Sequence, residues 1–217
     1  KTLSERIKKN NFISNESISK NYGCVRYSFF PIAYDENGKL SSVIFAVSNI
    51  NKQKVKEQSL IKLSHHDGLT GLFNRYSFEK DIHNNQFNTK NCVIVAADIN
   101  FLKQINDTYG HKTGDEIIKR AANCLYKVLS TYGKVYRTGG DEFVGIIYVS
   151  LKELNNILTN IKHEIDIENY KCKIKLSLSI GTADFNENSN LNIEEIIQSA
   201  DKNMYLNKND FHKNNVF

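Results

Sequence analysis

The stretch VYRTGGDEFVGIIYV, residues 135–149, joins two runs of apolar and β-branched residues across a Gly-Gly pair. These runs predict β-strands over 135–137 and 143–149. The glycine pair predicts a tight hairpin turn, because glycine tolerates positive φ angles. Asp141 and Glu142 follow the turn directly. We therefore expect two carboxylates where a buried hairpin strand begins.

Further strand and helix patterns lie on both sides of this hairpin. The run CVIVAADI predicts a buried strand over 92–99 and ends beside Asp98. Helices are expected over 75–84, 114–129, 151–165 and 193–207, and another strand over 173–182. Strands and helices do not alternate strictly. The pattern therefore favours an α+β fold in which helices flank a central, mostly antiparallel sheet.

The N-terminal part has a different pattern. Two apolar runs within 24–50 surround Asp-Glu-Asn-Gly at 35–38, which predicts a β-hairpin. This part of the sequence resembles the closing strands of a PAS sensor domain and their exit into a helix. The match lies in FFPIAYDENGKL followed by SVIFAVSNINKQK. The alternative is an unrelated hairpin. We divide the chain into a partial PAS-like segment (1–52), a linker helix (53–66) and a catalytic domain (67–217).

Composition excludes some classes of function. The formal net charge of +5 is spread thinly, and the chain has no zinc-finger spacing, no RNP-like aromatic motif and no basic helix, so nucleic-acid binding is not expected. The four cysteines are too far apart for a CxxC pair and are expected to be reduced, mostly buried thiols.

No stretch approaches the ~20 apolar residues of a membrane span. The chain begins at Lys1 without a signal-peptide pattern. We expect a soluble, cytoplasmic fragment of a longer protein, whose other parts could anchor it to the inner membrane.

Three carboxylates stand where predicted strands end or begin: Asp98, Asp141 and Glu142. Magnesium prefers carboxylate oxygens and leaves coordination positions for substrate phosphates. The residues alone leave two interpretations open, a metal site or solvated turn carboxylates.

The surrounding motifs decide between these interpretations. RTGGDEF at 137–143 and DINFLKQINDTYGHKTGDEII at 98–118 are similar to the two signature segments of the GGDEF, or diguanylate cyclase, family. DGLTGLFNRYSF at 67–78 resembles the opening motif of that family. SLSIGTA at 177–183 and ADKNMYLNK at 200–208 are weaker matches. The resemblance spans about 150 residues in the family order.

The resemblance implies a fold like that of nucleotidyl cyclases and polymerase palms, and an enzyme that makes cyclic di-GMP from two GTP molecules. It further implies that Asp98, the carbonyl of Ile99, Asp141 and Glu142 hold Mg²⁺, with Mn²⁺ as a substitute. Asp141 and Glu142 would act in catalysis, Glu142 either as a metal ligand or as a helper in deprotonation.

The same resemblance implies the substrate contacts. Gly139 and Gly140 would let the backbone approach the nucleotide. The amides of Phe101, Leu102 and Lys103 would face the phosphates at a helix N-terminus. The substrate contacts further include the charges of Lys103 and Lys208, and guanine contacts from Asn106 and Asp115.

Asn106 and Asp115 have an alternative role. Both residue types suit helix ends, so helix capping is the interpretation without the family resemblance. With it, the Asp115 carboxylate would accept from the N1–H and N2–H donors of guanine and select GTP over ATP.

Each catalytic domain would hold one GTP, so a homodimer is expected to bring two sites together, with the linker helix controlling their approach. A catalytically silent GGDEF domain, acting as a GTP-binding or protein-interaction module, is the alternative.

The chain departs from the family at three places. Ser130 and Gly133 replace the Arg-x-x-Asp feedback motif, so no product inhibition is expected there. Asn100 stands where Asp is frequent and Leu102 where Phe is frequent, and His212 stands where the family often has a phosphate-binding Arg.

Overall fold

The computed structural model describes residues 12–84, 92–185 and 192–214. The chain divides into two compact units, Lys1–Lys62 and Leu63–Phe217. No helix in the described residues is long and apolar enough to cross a membrane.

The first unit contains a three-stranded antiparallel sheet in the order β1-β2-β3. Its strands are β1 (Ile13–Ser19), β2 (Gly23–Tyr34) and β3 (Leu40–Asn49), and helix α1 (Asn51–His65) follows. The predicted hairpin is confirmed. Asp35 closes its turn, because one carboxylate oxygen accepts hydrogen bonds from the amides of Asn37 and Lys39 at 3.0 and 2.8 Å.

The second unit contains a five-stranded sheet in the order β4-β6-β7-β5-β8. Its elements are β4 (Phe73–Asn74), α2 (Arg75–His83), β5 (Cys92–Ile99), α3 (Leu102–Tyr109), α4 (His111–Leu129), β6 (Gly133–Arg137), β7 (Glu142–Tyr148), α5 (Leu151–Tyr170), β8 (Leu178–Phe185) and α6 (Ile193–Asn214). Only the short β4–β6 pair is parallel; the other strand pairs are antiparallel. The predicted α+β fold with a mostly antiparallel sheet is confirmed.

Strand β5 lies at the centre of the hydrophobic core and is buried along its whole length. Side chains alternate between the two faces of a strand, so β5 supplies two apolar layers. Val93 and Val95 pack with α4 and α5, whereas Ile94 and Ala96 pack with α2 and α6. Asp98 continues the second series and therefore points toward the α6 side.

The predicted strand over 173–182 is wrong at its start, because β8 begins only at Leu178. The side chain of Asn169 explains the difference. Its amide oxygen accepts from the backbone N–H of Leu176 at 2.7 Å, and its NH₂ group donates to the Leu176 carbonyl at 2.8 Å. Both backbone groups of Leu176 are thus bonded without a partner strand.

Helices α4 and α6 are longer than predicted. Helix α4 begins at His111, three residues before the predicted start, because Gly110 with φ 83° separates it from α3. Helix α6 continues to Asn214, seven residues beyond the prediction. This extension places His212 on the same helix as Lys208.

Candidate active site

The carboxylates of the candidate site meet at one end of the central sheet. Asp98 and Glu142 are direct partners in the β5–β7 ladder, so their side chains leave the same face. The backbone N–H of Ile99 donates to the carbonyl of Asp141 at 3.2 Å, which ties the turn to the end of β5. The structure therefore brings Asp98, Ile99, Asp141 and Glu142 to the same end of the sheet.

Asp98 is 5% exposed and lies near the charges of two other carboxylates. Burial raises the pKa of this carboxyl, and the charges of Asp141 and Glu142 raise it further. The ammonium of Lys208 acts in the opposite direction, because it lies 2.7 Å from Oδ1 of Asp98. The site thus concentrates negative charge that a cation stabilises.

Helix α6 supplies that positive charge through Lys208, which lies on one face of the helix. Ala200, Met204, Lys208 and His212 recur every four residues and so lie along one face of the helix. The first two pack in the apolar layer beneath the sheet. This face of α6 therefore extends from the hydrophobic core to the candidate site.

Gly181 on β8 lets this helix lie close to the sheet. A Cβ atom at this position would collide with the backbone N of Met204 and the carbonyl of Ala200. Sequence reasoning missed this role, although a glycine inside a strand signals close backbone approach. The contact fixes the distance of α6 from β8 one turn before Lys208.

Arg137 holds the Gly-Gly turn. Its guanidinium donates to the carbonyl of Gly139 at 3.1 Å and to that of Gly140 at 2.7 Å. A third donor reaches Asp67 Oδ1 at 2.9 Å. Burial alone would raise the pKa of Asp67, but hydrogen bonds from Thr70 and Arg137 outweigh it and leave that pKa lowered. No role was predicted for Arg137, although it adjoins the glycines in the motif.

The expectation that the glycine pair adopts positive φ angles is wrong. Neither Gly139 nor Gly140 has a positive φ; among the glycines of the described ranges that conformation occurs at Gly23, Gly38, Gly71 and Gly110. A Cβ at Gly139 would meet the Glu142 carboxylate, whereas one at Gly140 would enter open space. The turn is therefore shaped by Arg137 and the β6–β7 ladder, and Gly140 leaves its outer side free.

Phe101 links β5 to α3 in an uncommon backbone conformation. Its φ is 61°, the one positive value found for a non-glycine residue in the described part of the chain. Its ring stacks on His212 with centroids 4.5 Å apart and an interplanar angle of 11°. Helix α3 begins at Leu102, so the amides of Leu102 and Lys103 belong to its first turn. His212 thus covers the start of α3.

Asn106 and Asp115 are not helix caps, so the capping alternative is wrong. Asn106 lies in the middle of α3, and Gly110 is the N-cap residue of the helix that contains Asp115. The side chain of Asn106 lies against Gly114, where a Cβ would collide with it. Its Oδ1 atom is buried without a hydrogen-bond partner from the described residues. Asn106 therefore lies beside the neighbour of Asp115 and has unused hydrogen-bonding capacity.

Asn100 has a structural role. It is 2% exposed, its NH₂ group donates to Ser177 Oγ at 2.9 Å, and its oxygen accepts from Ser179 Oγ at 2.8 Å. These bonds attach the segment after β5 to the start of β8. A neutral amide suits this position because it both donates and accepts.

The donor set fits a hard divalent cation. Three carboxylates and the Ile99 carbonyl supply the oxygen ligands that magnesium prefers, and the Lys208 ammonium already places a positive charge against Asp98. No group of three His, Cys, Asp or Glu side chains within the described ranges is arranged to hold a metal without movement. Binding of a metal by these side chains would therefore require them to change conformation.

The positions of the missing feedback motif cannot regain it by one substitution. Gly133 lies so close to β7 that a Cβ would collide with the carbonyl of Ile146. Ser130 and Gly133 line a cavity of about 390 Å³ that also contains Lys119 and Lys134. An aspartate at position 133 would require the hairpin to open.

Comparisons with known proteins identify the family of the second unit. The family described as diguanylate cyclase, GGDEF domain, matches residues 64–214. Diguanylate cyclase DosC of Escherichia coli K12 is 37% identical over 153 residues, covering 65% of this chain and 32% of DosC. Cyclic di-GMP phosphodiesterase PdeB of Shewanella oneidensis is 26% identical over 168 residues, which cover 75% of this chain and 19% of PdeB. The chain thus spans a third or less of these two relatives.

Solved structures share the fold. The coiled coil and GGDEF domain of DgcB from Caulobacter crescentus, in complex with c-di-GMP, aligns with a TM-score of 0.65 at 22% identity. The alignment covers 74% of this chain and 89% of the DgcB chain.

Proposed function

The chain belongs to the family of GGDEF diguanylate cyclase domains, and from this premise we propose that it condenses two GTP molecules into cyclic di-GMP. The observation that supports this most is the meeting of Asp98, Asp141 and Glu142 at one end of the β5–β7 ladder, with Lys208 against Asp98. Residues that handle a metal–phosphate substrate need such a mixture of charges.

The reaction is two successive nucleotidyl transfers. In each, the ribose 3′-oxygen of one GTP bonds to the α-phosphorus of the other, and the bond from that phosphorus to the α,β-bridging oxygen breaks. Pyrophosphate leaves with that bond's electrons, so one cyclic product and two pyrophosphates form. We assign acceptance of the 3′-hydroxyl proton to the Asp141–Glu142 pair, which lies at the start of β7.

Asp98, Asp141, Glu142 and the carbonyl of Ile99 are the residues that would hold Mg²⁺, or Mn²⁺ in its place. The bound ion would supply Lewis-acid stabilisation of the charge that develops on the phosphate oxygens. The residues around it orient the substrate. Arg137 holds the carbonyls of the Gly-Gly turn, and the open space at Gly140 would admit a nucleotide to the backbone.

The phosphates would lie at the start of α3. The amides of Phe101, Leu102 and Lys103 offer donors at a helix N-terminus, where anions are favoured. Lys103 and Lys208 add full positive charges. His212, stacked on Phe101, borders the same place.

Guanine would lie between α3 and α4. Asp115 is exposed at the start of α4 and accepts from the N1–H and N2–H groups of guanine, a donor pair that adenine lacks. Asn106 beside Gly114 adds its side-chain amide. This pair would select GTP.

Catalysis would take place in a homodimer, because each domain holds one GTP and the product needs two. We assign control to the N-terminal part, a PAS-like segment over 1–52 with a linker helix over 53–66 that adjusts the approach of two catalytic domains (67–217). GTP is a cytoplasmic nucleotide, so the catalytic domain would act in the cytoplasm, whatever anchor the whole protein carries.

A silent GGDEF domain that binds GTP or a partner protein is the second candidate. Two observations favour it: His212 replaces the phosphate-binding Arg of the family, and a relative with the same domain is named a phosphodiesterase. Such a domain would bind GTP without forming product.

The deciding experiment incubates the chain with GTP and Mg²⁺ and identifies the product by mass. Cyclic di-GMP in stoichiometry with two pyrophosphates supports the cyclase. Asp141→Ala should abolish product while leaving the folded structure unchanged by circular dichroism. GTP binding with no product in the wild-type chain identifies the silent module.

A further inference from the structure

The ammonium of Lys208 stands where a metal ion would be expected to act. It lies 2.7 Å from Oδ1 of Asp98, whose side chain is 7% exposed, while that of Lys208 is 28% exposed. Asp141 and Glu142 add further negative charge near the same carboxylate. A carboxylate this deeply buried is costly without a positive partner. Without a metal, Lys208 is therefore the residue that neutralises Asp98.

A divalent cation and this ammonium cannot both bind the same carboxylate oxygen as strongly as either would alone. The lysine has a flexible four-carbon stem, so its charged end can move several ångströms while the helix stays in place. The helix itself is fixed against the sheet by the Gly181 contact. Lys208 can therefore leave Asp98 through a change in its own side chain, without movement of the helix.

We propose that Lys208 is an exchangeable counter-ion: it neutralises Asp98 in the metal-free site, a divalent cation displaces it, and the released ammonium then contacts the phosphates of the nucleotide. The displacement follows from the ion pair; the final contact rests on the proposed function.

Cooperative binding follows from this exchange. Metal alone must break the Lys208–Asp98 pair and leave the ammonium without its partner. Metal together with a nucleotide gives the ammonium a new anionic partner. Each ligand should therefore raise the affinity for the other by the same factor, which for coupled sites is on the order of 5- to 150-fold.

The test measures Mn²⁺ binding by isothermal titration without nucleotide. Lys208→Met removes the competing cation, so this variant should bind Mn²⁺ at least about fivefold more tightly than wild type. Lys213→Met is the matched control, since it removes one charge from an exposed site on the same helix, and should bind as wild type does. Asp98→Asn should lose binding in either background.

A second arm adds a non-hydrolysable GTP analogue. In wild type the analogue should raise Mn²⁺ affinity, and in Lys208→Met this enhancement should shrink to less than half. If the chain does not bind GTP, the second arm fails in every variant, whereas the metal-only difference persists. Failure of the proposed function and failure of the exchange are thus distinguishable.

Unchanged or weaker Mn²⁺ binding in Lys208→Met would overturn the proposal. Should that variant not fold, the wild-type chain gives the answer by NMR of its lysine ammonium groups. Titration with Mg²⁺ should shift the Lys208 signal toward that of a free lysine. A signal that keeps its ion-paired position at saturating Mg²⁺ would contradict the exchange.

Discussion

Arg137 donates to Asp67, seventy residues earlier in the chain, across 2.9 Å and so joins the first residue of the opening motif to the Gly-Gly turn. The same guanidinium binds the carbonyls of both glycines. A planar group with several fixed donors suits this task, and a lysine does not. The pair therefore holds the turn that begins β7 and presents Asp141.

Replacing Arg137 should weaken both folding and catalysis. Arg137→Met should lower the free energy of unfolding by about 1.5–3 kcal/mol, the range for a hydrogen bond to a charged group. Arg137→Lys keeps the charge but not the three-way contact, so product formation should still fall. Urea unfolding and the cyclase assay check this. An Arg137→Met chain as stable as wild type would show that the contact is incidental.

The pH dependence of that stability follows from Asp67. Its pKa is lowered in the folded chain, so the pairing contributes fully above the ordinary carboxylate pKa of about 3.9. The contribution disappears as pH falls through the lowered folded value. The stability gap between wild type and Arg137→Met should therefore be constant from pH 5 to 7 and shrink below about pH 4.

Two glycines should respond differently to alanine. Gly181→Ala forces a Cβ into the backbone of α6, and overpacking of this kind typically costs about 1–3 kcal/mol. Gly140→Ala faces open space, so stability should stay within about 0.5 kcal/mol while GTP turnover falls. Thermal unfolding and product assays separate the two effects. If Gly140→Ala kept full activity, the proposal that the nucleotide approaches the backbone at Gly140 would be wrong.

Asp115 should decide the choice of nucleotide. Asp115→Ala removes the acceptor for guanine, and the ratio of kcat/KM for GTP over ATP should fall, by up to about 10⁴ at the upper limit. Glu116→Ala is the matched control, since Glu116 is exposed and forms an ion pair with Lys119 on the same helix. A ratio unaffected by Asp115→Ala would place guanine elsewhere.

The thiols should fall into two classes. Burial raises the pKa of Cys92 and of Cys124 to about 11, so neither forms the reactive thiolate at pH 8. Cys24 and Cys172 are half-buried and free. A chromogenic disulfide reagent should therefore titrate two thiols in the folded chain and four after unfolding. Rapid reaction of all four would contradict the buried positions of Cys92 and Cys124.

Local patterns were enough to predict the fold class and to place Asp98, Asp141 and Glu142 at strand ends, whereas their assignment to a metal site came from the family resemblance. The all-apolar run before Asp98 allows little but a central strand, and the hairpin after the glycines must bring Asp141 and Glu142 to its end. Such signals lie within single segments of the chain, so they can be recognised from the sequence alone.

Contacts between distant segments were not predictable. The loop at 173–177 looks like a strand until the Asn169 side chain is seen to satisfy Leu176. Likewise, the pairing of Lys208 with Asp98 joins residues 110 positions apart and depends on how closely α6 approaches β8. These features are set by tertiary packing, on which residue periodicity carries no information.

The account depends most on a shared cation between Asp98 and Asp141. A crystal of the chain grown with Mn²⁺ and a non-hydrolysable GTP analogue, measured at the manganese absorption edge, tests this directly. We predict an anomalous peak about 2.0–2.3 Å from a carboxylate oxygen of each residue, with the phosphates at the start of α3. A metal bound to the nucleotide alone, or to other side chains, would contradict the account.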